Sequence, residues 1–487
     1  MTLIPLDINS ETRKENIERI KERDIIIPTF AQMRNPELLP SSIKEELKEI
    51  GLWDIHPRNL FRITWKNEPV KFGGGFGGPN YIELPPELTG VEARIIALVG
   101  KYFPTGAHKV GATFGCLAPH LVSGSFDVKR MKAVWPSTGN YCRGGAYVAS
   151  LLACESIAIL PEEMSQERFN WLKTVAGEII ATPGSESNVK EIYDKVWELR
   201  AERENIFVFN QFEEFGNSLF HYDVTGNAFK EVLNKELGGG RYRGVTLTTG
   251  SAGTIAVGDF LKELYPSSKI AAGEALQCPT MLLNGFGAHS IEGIGDKHIP
   301  WIHNVKNTDM VIAIDDRDVM SIMRLFNKEE GKKYLVEQGV SEEIVSKLDL
   351  LGLSSIANML MAIKFSKYYE LTREDVVLTV FTDSMELYQS RILEMRQKYG
   401  DYNVRDAIKD FHLSLHGQKL DNLLELTYPQ KRRIHNLKYF TWIEQQGRQL
   451  EELNEQWYND SYWKELRTYP DKIDELINQF NEEVGLI

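Results

Sequence analysis

Cysteine is scarce in this chain. Four residues in 487 (Cys116, Cys142, Cys154 and Cys278) are too few to staple a fold. They form no CxxC pair and have no histidine at zinc spacing, so no metal site is expected. Positive charge is also short. Lys and Arg total 56 against 69 Asp and Glu, a net charge of −13, which offers nucleic acid or an anionic membrane no basic face. No run of about 18 apolar residues is present, so no membrane span is expected. The first residues turn charged almost at once, unlike a signal peptide, and a cytoplasmic protein is expected. No GK[ST] follows any glycine-rich stretch, which disfavours a nucleotide P-loop.

What is there reads as globular: 42% hydrophobic and 26% charged residues. Residues 1–92 form an N-terminal extension with charged helical pieces over 10–23 and 41–51, then a glycine-rich turn, "KFGGGFGG". From there to about residue 386 apolar runs alternate with helix-like stretches. "RIIALVG", "KAVWPS", "IAILP", "EIIATPG", "RGVTLTTG", "KIAAGEA", "DMVIAIDD" and "DVVLTVFTD" read as strands. That alternation predicts an α/β fold with parallel sheets and helices on both faces. Ligands are then expected on the loops that leave strand C-terminal ends. Residues 93–230 are assigned to a smaller α/β domain and 231–400 to a larger one. Residues 401–487 lose the alternation and read as a helical C-terminal extension rich in aromatics.

Four of the strand-end loops have the composition of a site. In "PTGAHKVGA", Lys109 stands among small uncharged residues; a shielded lysine loses charge and becomes nucleophilic. In "WPSTGNYCRGG", Ser137, Thr138, Gly139 and Asn140 open a helix and offer donors for a carboxylate or phenolate, although a plain N-cap has the same composition. In "TLTTGSAGTIAVG", Thr249, Gly250, Ser251, Ala252, Gly253 and Thr254 suit a single phosphate held by backbone N–H groups. In "GLSSIANML", Ser354 starts an apolar helix and could meet a ring nitrogen. An amine for an aldehyde, donors for a phenolate, a phosphate cup and a hydroxyl for a pyridine together match pyridoxal 5′-phosphate.

Over roughly residues 94–390 the chain resembles the fold-type-II pyridoxal-phosphate enzymes, the tryptophan synthase β and cysteine synthase superfamily. "PTGAHK" resembles the family's Schiff-base segment, which makes Lys109 the cofactor lysine and His108 a neighbour of the phosphate. "STGN" resembles the substrate loop, with Asn140 toward the phenolic oxygen and Ser137, Thr138 and Gly139 around the substrate carboxylate. "TTGSAGT" resembles the phosphate loop, with Ser251 and Ala252 replacing glycines. "IEGIGDKHIP" is similar to the segment beside the ring, which places Gly293 there, and Ser354 or Ser384 would face the ring nitrogen.

The resemblance implies two domains with the cofactor in the cleft between them. It implies Cα deprotonation of a small amino acid by Lys109, then β-elimination or β-replacement through an aminoacrylate, with sulfur chemistry expected. A homodimer is expected, and a partner subunit would suit the extensions. A thiolase-like or dehydratase member of the superfamily is the alternative reading; from another class, a non-catalytic phosphate-ligand binder. His120, His221, His289, His298, His303 and Glu292 are left without a role, His298 and Glu292 being nearest the ring segment.

Overall fold

The computed structural model describes residues 4, 6–137, 139–184, 188–295 and 297–486. Two sheets organise the chain. The strands are β1 (Tyr81–Leu84), β2 (Arg94–Val99), β3 (Lys132–Pro136), β4 (Glu155–Pro161), β5 (Glu178–Thr182), β6 (Ile206–Val208), β7 (Arg241–Thr248), β8 (Lys269–Ala275), β9 (Met310–Ile314), β10 (Asp375–Phe381) and β11 (Leu423–Glu425). The larger sheet runs β1-β2-β10-β7-β8-β9-β11 and the smaller β5-β4-β3-β6. All pairs of the smaller sheet are parallel. So are the four inner pairs of the larger one. Only the edge strands β1 and β11 pair antiparallel.

The inner strands are largely buried because helices cover both faces. Every residue of "MVIAI" in β9 and of "DVVLTVF" in β10 is buried. The expected α/β architecture is present, with one shift of membership. β2 was expected to open the smaller domain at 93–230, but it lies between β1 and β10 in the larger sheet. β1 and β11 come from segments expected to be extensions, so both extensions contribute an edge to this sheet.

The helix Lys109–Ser123 links the two sheets and is buried along almost its whole length. Its glycines permit that. A Cβ on Gly115 would stand 2.3 Å from Gly216 O, and one on Gly216 would stand 2.1 Å from Gly115 O, so the two backbones touch. The chain ends close over the same helix. Arg13, in the helix Ser10–Glu22, donates to Val122 O at 2.5 Å and to Glu483 at 2.7 Å. In the last helix, Tyr469–Val484, Asp474 accepts from the Phe30 and Ala31 N–H groups, and Asn481 pairs with both backbone groups of Ile27. Residues 318–352 form further helices, among them Glu329–Glu337, on the outer side of the larger sheet. Among the described residues no helix is long and apolar enough to cross a membrane.

Candidate active site

The C-terminal ends of β2, β3, β7 and β10 converge on one cavity, as strand polarity in parallel sheets requires. Its wall includes His108, Lys109, Ser137, Asn140, Gly250, Ser251, Ala252, Gly253, Thr254 and Gly293, so ten of the expected residues come together.

Lys109 is the first residue of its helix. Before it, Thr105 (φ 68°) and Gly106 (φ 70°) turn the chain through left-handed conformations and aim the lysine across the cavity. Lys109 Nζ donates to Ser251 Oγ at 2.9 Å and to Gln211 Oε1 at 3.3 Å. Ser251 Oγ accepts a second bond from Asn217 Nδ2 at 3.0 Å, which leaves its own proton to donate. Gln211 also donates to Ser137 Oγ at 3.3 Å, tying the lysine to the loop that follows β3. Gln211 and Asn217 are in no motif identified from the sequence. The amides of "FNQFEEFGN", just past the short β6, were the available signal.

Residues 250–254 cross from β7 to the helix Ile255–Leu264. Among the described residues none of their backbone N–H groups donates to a backbone acceptor. Five such groups beside a helix start form an anion cup. Ala252 keeps the left-handed conformation (φ 60°) that glycine adopts without strain, so the departure from glycine leaves the loop shape intact. Thr249 differs from expectation. Its N–H and its hydroxyl both donate to Gly273 O at 2.8 Å, which commits it to β8 rather than to the cup.

His108 lines the cup with both ring nitrogens buried and without a hydrogen-bond partner. Burial, aided by the Lys109 charge, pushes its pKa down to about 3, so the ring is neutral. Ser354 and Ser384 are buried with unpartnered hydroxyls. Neither is part of the cavity wall among the described residues. Ser354 Oγ lies behind Gly293, 3.7 Å from where a Cβ would stand. Thr138 lies outside the described residues.

The loop that follows β3 is anchored from the larger sheet. Asn140 Nδ2 donates to Asp383 Oδ2 at 2.5 Å, and the Tyr388 hydroxyl donates to the same oxygen at 2.6 Å. Arg168 donates to Tyr388 at 2.9 Å and pairs with Glu292 at 2.5 Å; Arg391 holds the other Glu292 oxygen at 2.6 Å. Burial raises the Asp383 carboxyl above its ordinary range, against the Arg168 charge. Gly139 is not in the cavity wall; a Cβ there would stand 2.2 Å from Arg168 Nη1, so only glycine admits the arginine. Glu292 therefore belongs to this interdomain cluster. His298 lies outside the cavity wall, against Tyr193, Phe212 and Trp442.

An amine, an uncommitted anion cup, a neutral unpartnered imidazole and two orphaned buried hydroxyls fit an aldehyde that carries a dianion and a ring. The class is that of pyridoxal-phosphate enzymes. The "Pyridoxal-phosphate dependent enzyme" family matches residues 81–336, more than half of the sequence, and the chain belongs to that family. Its cofactor is pyridoxal phosphate, and the fold-type-II resemblance holds.

A cysteine synthase of Staphylococcus aureus (strain N315) is 32% identical over 263 residues, covering 53% of this chain and 75% of the relative. Cystathionine β-synthase of Saccharomyces cerevisiae is 25% identical over 318 residues, covering 63% and 59%. Among solved structures, an O-acetylserine dependent cystathionine β-synthase from Helicobacter pylori shares the fold with TM-score 0.53 and 23% identity, over 64% of this chain and 95% of that one. O-acetyl serine sulfhydrylase isoform 3 from Entamoeba histolytica does so with TM-score 0.56 and 21% identity, over 69% and 93%. The chain is accordingly a pyridoxal-phosphate-dependent enzyme of the β-elimination and β-replacement type.

Proposed function

We propose that this enzyme acts on a small amino acid with a leaving group on Cβ, in the manner of a cysteine synthase. The observation that carries this is the placement of Lys109 Nζ, 2.9 Å from Ser251 in the cup and linked through Gln211 to Ser137 in the carboxylate loop. Pyridoxal phosphate, when bound, supplies an aldehyde for Lys109 and an electron sink for charge at Cα. Lys109 would hold it covalently. Residues 250–254 with His108 would hold its phosphate, Asn140 its phenolic oxygen, and Ser354 or Ser384 its ring nitrogen. A neutral hydroxyl at that nitrogen withdraws less charge than a carboxylic acid would, which favours loss of the β-substituent over transamination.

Ser137, Thr138 and Gly139 would take the substrate carboxylate and orient its Cα–H toward Lys109. Once the substrate amine has taken its place on the cofactor, the freed Lys109 amine would remove the Cα proton as general base and later return it. The apolar part of the wall is Tyr141, Phe212, Leu247 and Val380. All four cysteines are buried, which suits the reducing cytoplasm. A homodimer, or a partner subunit seated on the extensions, is part of the same reading.

The test is a visible-absorption titration of the purified holoenzyme with serine, O-acetylserine, cysteine and threonine, followed by product analysis with sulfide added. A shift of the bound-cofactor band with a β-substituted amino acid, and cysteine formation with sulfide, is the expected result. No shift with any of them overturns the substrate class.

A further inference from the structure

The Asn140 side chain ends in an amide whose two arms match in shape and differ in chemistry: the nitrogen donates and the oxygen accepts. Asn140 lies in the cavity wall, at the start of the helix that follows β3. Its amide is held from two directions by buried groups. Nδ2 donates to Asp383 Oδ2 at 2.5 Å, and Arg143 Nη1 donates to Oδ1 at 3.5 Å. Asp383 is fully buried, follows β10 and stands outside the cavity wall among the described residues. Gly352 leaves room for it, since a Cβ there would collide with Asp383 Oδ1.

The direction of each bond follows from the donor inventory. A guanidinium only donates, so the Tyr388 oxygen accepts from Arg168 Nη2 at 2.9 Å. The tyrosine proton is then left for Asp383 Oδ2 at 2.6 Å. That oxygen is an acceptor, and the Asn140 atom beside it has to be the amide nitrogen. The result does not depend on the charge of the carboxyl, because a proton on Asp383 would sit on Oδ1, which has no hydrogen-bond partner. Reversed, the amide would set its oxygen against a carboxyl oxygen and its nitrogen against the Arg143 cation. Among the described residues no other hydrogen bond involves Nδ2, so one of its two protons is uncommitted.

We propose that Asp383, set by Tyr388 and Arg168, is a positioning residue that keeps the Asn140 nitrogen as the donor end, so that its second N–H serves the phenolic oxygen of the cofactor. Arg168 and Asn140 belong to the segment of the smaller sheet, Asp383 and Tyr388 to that of the larger, so the donor is fixed only where the two meet. The proposal rests on the placing of the phenolic oxygen given above, but its first measurement needs no cofactor.

That measurement is the side-chain amide spectrum of the cofactor-free full chain labelled with ¹⁵N at asparagine, with Asn140 assigned by substitution. One Asn140 proton displaced downfield by the carboxyl contact is expected, with the displacement gone in Asp383→Ala; a pair at free-asparagine shifts overturns the proposal. The second compares pyridoxal phosphate with 3-deoxypyridoxal 5′-phosphate, which has no phenolic oxygen, for binding to the same chain. Asp383→Ala should weaken pyridoxal phosphate about tenfold, the loss of one well-set hydrogen bond, and leave the deoxy compound unchanged. Asp383→Asn, which retains an acceptor oxygen, should restore the preference. Equal weakening of both ligands, or of neither, overturns the proposal. Asn140→Ala separates this role from the placing beneath it. If it erases the preference while Asp383→Ala keeps it, Asp383 has no part; if it keeps the preference, the placing of the phenolic oxygen falls as well. If Asp383→Ala does not fold, the Asn140 shift in the unsubstituted protein still decides.

Discussion

Lys109 stands between two demands, and its neighbours show how both are met. Ser251 fixes the amine at the cup and Gln211 ties it to the substrate loop. Lys109→Ala should lower turnover by about 10²–10⁴-fold, as loss of a general base does, and abolish the bound-cofactor absorbance. Gln211→Leu removes the contacts with Lys109 and Ser137 without touching the cup. We expect KM for the amino acid to rise about tenfold, one hydrogen bond's worth, with cofactor absorbance retained; unchanged kinetics would show the link to be idle. The lysine was legible in the sequence because its surroundings are wrong for a surface cation. Gln211, Asn217 and Asp383 were not, because amides and acids in a loop have an equally good reading as solvated turns, and only tertiary contact separates the two.

The phosphate loop shows what an element adds to its residues. It follows β7, the helix Ile255–Leu264 starts after it, and its N–H groups are left to the cavity. A Cβ on Gly253 would stand 2.1 Å from Asn217 Oδ1, the side chain that braces Ser251. Gly253→Ala is therefore expected to weaken pyridoxal phosphate at least about tenfold in a binding titration. Ala252→Gly should leave binding intact, because the backbone shape is already glycine-like, and should relieve about 1 kcal/mol of left-handed strain, offset in part by chain entropy. Eight strands were legible as apolar runs. β1, β6 and β11 were not: each has three or four residues, and β1 and β11 are edges whose outer sides need no apolar continuity. Thr249 was assigned to the cup on composition and on the resemblance of "TTGSAGT", and the hydrogen-bonding of β8 claimed it.

At the scale of the molecule, the C-terminal helices are part of the body. Lys438 is fully buried and donates to Trp301 O and His303 O at 2.8 Å and to Gln456 Oε1 at 2.7 Å. Lys438→Met would orphan those acceptors and should cost about 3 kcal/mol in denaturant unfolding. The same region sets part of the pH response. Burial pushes His298 and His303 down to about 3 from an ordinary 6.5. The unfolded chain thus binds more protons between those values. The stability these residues contribute is complete above pH 6.5 and is lost as pH falls toward 3. Glu274, raised to about 7, and Asp223 and Asp474, each raised to about 6, act oppositely: their contribution is present below the ordinary carboxylate range and is lost as pH rises through the folded values. A single-site comparison separates the two. His298→Phe should flatten the acid decline by one proton, about 1.4 kcal/mol per pH unit, in unfolding free energies measured between pH 4 and 6; an unaltered slope would refute this. The helical period of the C-terminal stretch was legible, although β11 lies within it, but its apposition to the first helices was not, because nothing local encodes contact between distant segments.

The clasp of the two chain ends over the helix Lys109–Ser123 has a temporal corollary. A ribosome releases that helix long before it makes the segment Tyr469–Val484 that roofs it. During that delay the face it will bury under Tyr469–Val484 is uncovered. Nascent chains arrested ahead of residue 469 should remain open to protease across 109–123, and protection should rise once Tyr469–Val484 has been made.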